Sequence, residues 1–142
     1  MKSIEDKQRE IIEDFSLFDD WMQKYEYIID LGKSLPLIEE EYKTDEYLIK
    51  GCQSRVWLRA EIKDDRVYFK ADSDAVITRG IIALLIRVLS GQKAVDIGGS
   101  DLYFIDRIGL KEHLSPTRSN GLTSMVKQMK YYGIGLQNKE TV

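Results

Sequence analysis

The chain has a single cysteine, a single histidine and only two prolines among its 142 residues. One thiol cannot close an intramolecular disulfide, nor supply the several cysteines of a structural zinc or iron–sulfur site. Any sulfur chemistry must pass between Cys52 and another molecule. There is no basic excess either. The net charge is −3 and the pI about 5.3, which argues against a nucleic-acid partner. The longest apolar run, from Ile81 to Ile86, is far too short to span a bilayer, so no membrane association is expected. The opening residues Met1-Lys2-Ser3-Ile4-Glu5-Asp6 are charged where a secretory signal would be apolar. These absences lead to the expectation of a cytoplasmic protein whose free thiol stays reduced. Repeats, low-complexity tracts and linkers are also missing, and residues 1–142 read as one domain able to bury its own core.

What is present changes period twice. Ile4, Ile11, Ile12 and Phe15 share a helical face after Ser3, and Trp21, Met22, Tyr25, Ile28 and Ile29 repeat the pattern after an Asp20 cap. Gly32 is positioned to end that second helix. The middle then alternates. Tyr47 and Ile49 predict one strand; Val56, Leu58, Ala60 and Ile62 predict a second; Val67, Phe69 and Ala71 predict a third. Asp64-Asp65 is the hairpin turn between the last two. Asp72-Ser73-Asp74 offers capping side chains to an apolar helix from about Ala75 to Leu89, closed by Gly91. Beyond it, Leu102 to Ile108 predicts a short helix and Leu110 to Leu114 a single turn. Ser115-Pro116 opens a final helix, complicated by Asn120-Gly121 and released at Gly133 and Gly135. The fold class is α+β: a small antiparallel three-stranded sheet packed against helices from both ends of the chain.

Several residues could carry chemistry. Cys52 follows Gly51 on the connection between the first two predicted strands, where a glycine permits a tight turn. The thiol reads either as a presented nucleophile or as a small buried hydrophobe. Lys50 and Arg55 flank it and would favour thiolate, whereas burial would push its pKa the other way. Cys52 with His113 could form a thiol–imidazole hydrolase dyad, or contribute two ligands to a cluster; a local hydrogen bond is the simpler role for a lone histidine. Asp72 and Asp74 read as acid–base carboxylates or, more simply, as helix caps. Arg118, in the turn-rich Ser115-Pro116-Thr117-Arg118-Ser119-Asn120-Gly121, could read a carboxylate or a partner's backbone, or simply be solvated. Gly98-Gly99 lacks the Gly-Lys-Ser of a phosphate loop.

Four ordered blocks carry a resemblance. They are Tyr25-Glu26-Tyr27-Ile28-Ile29-Asp30-Leu31-Gly32-Lys33-Ser34-Leu35-Pro36, then Gly51-Cys52-Gln53-Ser54-Arg55-Val56-Trp57. Ala71-Asp72-Ser73-Asp74-Ala75 with Gly80 to Leu85 is the third, and His113 to Leu122 the fourth. On these residues the chain resembles the SufE family of cysteine desulfuration proteins. The resemblance implies a fold similar to the U-type iron–sulfur scaffolds and a sulfur acceptor with Cys52 at the reactive position. It implies as partner a SufS-type cysteine desulfurase, which carries the pyridoxal phosphate; no cofactor and no metal are expected on this chain. Sulfur would pass onward to an iron–sulfur cluster assembly scaffold. Gly51, Gln53, Ser54, Asp74, Arg118, Asn120 and Gly121 are the residues expected to position the loop or meet the partner. The alternatives are a cluster scaffold and a binding-only activator of the desulfurase. Oligomeric state is left open, a homodimer included.

Overall fold

Ser3 starts the first helix by reciprocal capping: its hydroxyl accepts from the Asp6 N–H, and the Asp6 carboxylate takes the Ser3 N–H. This opens α1 (Ile4–Ser16) in a computed structural model that describes residues 2–140, with side chains described as far as residue 135. Asp20 caps α2 (Trp21–Lys33) by accepting from the Gln23 N–H at 2.9 Å. Gly32, expected to end that helix, lies within it. A Cβ at Gly80 would come 2.1 Å from the Ile28 carbonyl oxygen, and one at Gly32 2.9 Å from the Gly80 nitrogen. The two glycines therefore let α2 meet α3 (Val76–Leu89) backbone to backbone. Gly32 is a packing residue, and its terminator reading is corrected.

The hairpin follows the alternation closely. β1 (Val56–Lys63) and β2 (Arg66–Ser73) pair antiparallel from Val56↔Ser73 to Lys63↔Arg66. Asp64 and Asp65 connect them with φ of 51° and 68°, the doubly left-handed geometry that matches the twist of a two-residue hairpin. Val56, Leu58, Val67, Phe69 and Ala71 are buried. The third strand is not there: among the described residues the sheet has two strands. The segment before β1 forms two 3₁₀ turns instead, Glu40–Tyr42 and Asp45–Tyr47. Leu48 then makes one antiparallel bridge to Trp57, and the Ile49 N–H donates to the Val56 carbonyl at 2.8 Å. Gly51, at φ 92°, turns the chain before a ladder can extend.

α3 is buried on most sides, as its apolar sequence requires, and packs against α2 and β2. α4 (Ala94–Gly98), which the sequence reading omitted, and α5 (Phe104–Arg107) follow; Gly109 at φ 72° turns the chain after α5. The last helix, α6 (Pro116–Glu140), begins at Pro116 with the Ser115 hydroxyl accepting from the Arg118 N–H at 3.2 Å. It runs unbroken through Asn120-Gly121, Gly133 and Gly135, where a turn and a release were expected. Gly133 faces α4, where a Cβ would lie 3.1 Å from Ile97 Cγ2. Its small size serves helix contact and not chain exit. The α+β class stands, with helices from both ends of the chain around one hairpin. No helix among the described residues is long and apolar enough to cross a membrane.

Candidate functional site

Cys52 sits one residue after the left-handed Gly51, on the turn that leads into β1. A side chain at Gly51 would fail twice. The backbone conformation disfavours it, and its Cβ would come 2.6 Å from Ser124 Oγ on α6. The turn is thus pressed against α6, and Cys52 Sγ lies 3.6 Å from the Gly121 carbonyl oxygen, to which the thiol donates weakly. A Cβ at Gly121 would touch that sulfur at 3.5 Å and fill the space beside it.

That space is a small cavity of about 80 Å³. Gln53 and Ser54 line it from the turn, Thr78 and Ile81 from α3, and Thr117, Arg118, Gly121 and Met125 from α6. The thiol is half-buried, and burial pushes its pKa up from the ordinary value. Lys50 and Arg55 are exposed and do not lower it, so burial wins the competition left open by the sequence. Free Cys52 is a protonated thiol at neutral pH.

The aspartates after β2 hold this arrangement from behind. Asp74 Oδ1 accepts from the Arg55 N–H at 3.1 Å, and the Asp74 N–H donates to the Arg55 carbonyl at 3.3 Å. Asp74 thereby ties the cysteine turn to the end of the hairpin. Asp72 is buried and binds three donors: Lys43 Nζ at 2.7 Å, Arg79 Nε at 2.8 Å and the Ser73 N–H at 2.8 Å. Burial opposes its ionisation, but the Lys43 ammonium, the Ser73 N–H and the Arg79 guanidinium outweigh it and hold the carboxyl below its usual range. Neither aspartate caps α3, whose N-cap Ala75 has no side-chain bond. The capping reading is corrected: Asp72 meets α3 through the Arg79 side chain and not through its first-turn N–H groups, and Asp74 faces the Arg55 backbone.

The structure separates other residues that the sequence suggested together. His113 does not line the cavity; its ring stacks on Trp21 at 3.8 Å between centroids and 18° between planes. Its Nδ1 donates to the Gly109 carbonyl at 3.0 Å, so no thiol–imidazole dyad forms. Arg118 is exposed in the first turn of α6, on a helix and not in a loop, and reaches the cavity wall; Asn120 is exposed on the same helix. Gly98-Gly99 lies at the end of α4. Among the described residues no group of three or more His, Cys, Asp or Glu side chains could hold a metal ion. Sequence reasoning missed Thr78, Ile81, Thr117 and Met125. Thr78 left one trace, as an uncharged polar side chain inside the apolar stretch of α3.

A thiol held on a turn between two helices, beside a cavity of atomic size, can exchange sulfur with a visiting persulfide. The SufE family model, described as an Fe-S metabolism associated domain, matches residues 9–132. The chain belongs to the SufE family. It is 44% identical over 126 residues to a SufE-like protein of Rhizobium etli, covering 85% of each chain. It is 38% identical over 134 residues to SufE-like protein 1, chloroplastic/mitochondrial, of Arabidopsis thaliana, covering 94% of this chain and 36% of that longer one. A hypothetical protein from Thermus thermophilus, solved in solution, shares the fold with a TM-score of 0.77 at 16% identity, over 93% of this chain and 96% of that one. Membership in the SufE family places the protein in iron–sulfur metabolism.

Proposed function

We propose that this SufE-family protein accepts sulfur from a cysteine desulfurase of the SufS type onto Cys52, stimulates that enzyme, and passes the sulfur on for iron–sulfur cluster assembly. The observation that carries the reading is the sole thiol of the chain, half-buried on a turn beside a small cavity with room for an added sulfur atom. The step balances without an oxidant. The Cys52 thiolate attacks the outer sulfur of the partner's persulfide, that sulfur–sulfur bond breaks, and the partner's thiolate leaves. Cys52 is left as a persulfide, ready for the next thiol. Residues 1–142 act as one domain in a cytoplasmic, reducing setting, and the pyridoxal phosphate belongs to the partner. Burial keeps the free thiol protonated and slow to react; docking that draws the turn outward returns it to the ordinary range. Gln53, Arg118 and Asn120 are exposed around the site and form the rim the desulfurase meets, with Gly51, Ser54, Asp74 and Gly121 shaping the turn between them.

The test is the intact mass of the protein after incubation with desulfurase and cysteine. The parent gains the mass of one sulfur atom, removable by dithiothreitol, and Cys52→Ser gains none. A sulfur adduct that survives Cys52→Ser sinks the assignment. If Cys52→Ser still stimulates the desulfurase fully, the protein is a binding-only activator. A cluster scaffold would instead show stoichiometric cluster absorbance after anaerobic reconstitution, which one cysteine without a converging set of donors disfavours.

A further inference from the structure

Thr78 is a buried polar residue that the exchange step does not use. It is only 5% exposed as a residue, and its hydroxyl oxygen, which makes no hydrogen bond within the described residues, is not sealed off from solvent. A hydroxyl in so buried a residue keeps its hydrogen-bonding capacity only toward the space it borders. Thr78 borders the Cys52 cavity. It also occupies the first turn of α3, whose N-cap Ala75 offers no side-chain acceptor. Thr117 and Arg118 border the same cavity from the first turn of α6. The first turns of α3 and α6, each carrying partial positive charge, therefore converge on the cavity beside the thiol.

We propose that the Thr78 hydroxyl receives the outer sulfur of a persulfide on Cys52, donating a hydrogen bond to it in its anionic form. This rests on the sulfur-acceptor reading above. A cavity of about 80 Å³ has room for one added sulfur atom beside the thiol. A hydropersulfide is more acidic than its parent thiol, so the added sulfur brings a charge that the bare cysteine does not. The polar wall is then matched to the loaded state and indifferent to the empty one. Of the lining residues only Arg118 carries a charge, and it lies at the exposed rim; behind the turn, Asp74 is occupied by the Arg55 N–H. Ile81 and Met125 complete the wall with apolar surface.

The experiment loads the parent, Thr78→Val and Thr78→Ser with desulfurase and cysteine, then titrates the near-ultraviolet absorbance of the persulfide anion against pH. Thr78→Val keeps the shape and removes the donor. Its titration midpoint rises by about one pH unit, while Thr78→Ser stays with the parent. Loss of the persulfide to dithiothreitol serves as a second reading, several-fold faster in Thr78→Val than in Thr78→Ser. A midpoint and loss rate in Thr78→Val equal to the parent's overturn the role of Thr78 and leave the acceptor function intact. A parent chain that takes up no sulfur at all overturns the acceptor reading itself. Circular dichroism melts of the three proteins identify a folding defect, and a Thr78→Val midpoint shift that Thr78→Ser shares overturns the hydroxyl assignment.

Discussion

The hairpin of β1 and β2 and the segment 35–55 that precedes it adjoin each other but are held by different means. The hairpin is fixed by a continuous ladder and a turn whose two residues both adopt the required left-handed geometry. The preceding segment hangs from isolated points. The Ala71 N–H donates to the Pro36 carbonyl and the Ile38 N–H to the Ala71 carbonyl, Leu48 bridges Trp57, and the Lys43 and Arg55 attachments run to Asp72 and Asp74. Cys52 is on the second kind of structure. A ladder opens cooperatively, whereas point attachments release one at a time. Under the proposed function, a thiol covered when idle and offered when a partner docks belongs on the latter.

Substitutions can break that contrast in order of decreasing effect on stability. Asp72→Asn is the largest, because it strips a buried carboxylate from both Lys43 and Arg79. About 2–3 kcal/mol of unfolding free energy is lost, less than for a fully buried triad because Arg79 is half exposed. The folded carboxyl titrates below its unfolded value of about 3.9, so its contribution is present above that pH and disappears as pH falls through the folded value. Denaturant melts of parent and variant should therefore differ most near neutrality and converge in acid. A gap that stayed constant down to the acid limb would show that Asp72 acts through packing instead.

Asp74→Ala removes one hydrogen bond at an exposed residue and costs about 1 kcal/mol or less. Its effect on the site is greater than its effect on the fold. Iodoacetamide alkylation of Cys52 at pH 7.5 (about one unit below the ordinary thiol value of about 8.5) speeds up several-fold, because the turn spends more time away from α6. Unchanged alkylation in a variant with a near-parental melt would remove the restraint from the account. Arg118→Ala is the smallest in stability, within about 0.5 kcal/mol for an exposed side chain. It should weaken desulfurase docking by up to about tenfold in titration calorimetry, the scale of a rim contact. Parental docking and sulfide release would take Arg118 off the interface.

The same contrast separates what the sequence reveals from what it hides. Ser3, Asp20 and Asp64-Asp65 act on neighbours within a few residues, and the helices and hairpin they begin or join could be read directly. Tyr47 and Ile49 alternate like a strand, yet their segment makes one bridge, because alternation does not encode whether the next residues stay extended. Gly32, Gly121 and Gly133 look like punctuation locally; in the fold each sits in helix interior where a neighbouring segment comes close. Cys52 was legible because a lone thiol after glycine is conspicuous. Asp74 entered its setting only through the family resemblance, and Thr78 was not legible as part of it. One acts on a backbone N–H nineteen residues away in sequence, and the other reaches the cavity only through the packing of α3.

Gly80 gives that cavity a direction of movement. Two residues along α3 from Thr78 and next to Ile81, it locks α3 against the Ile28 carbonyl so closely that not even a methyl group fits between them. One wall of the sulfur chamber is thus bolted to the frame, through α3 to α2. Bringing Cys52 out cannot use that wall as the hinge without parting two helices in backbone contact. For the proposed exchange that leaves the turn at 51–55 as the door, swinging away from α6, with its latch at Asp74.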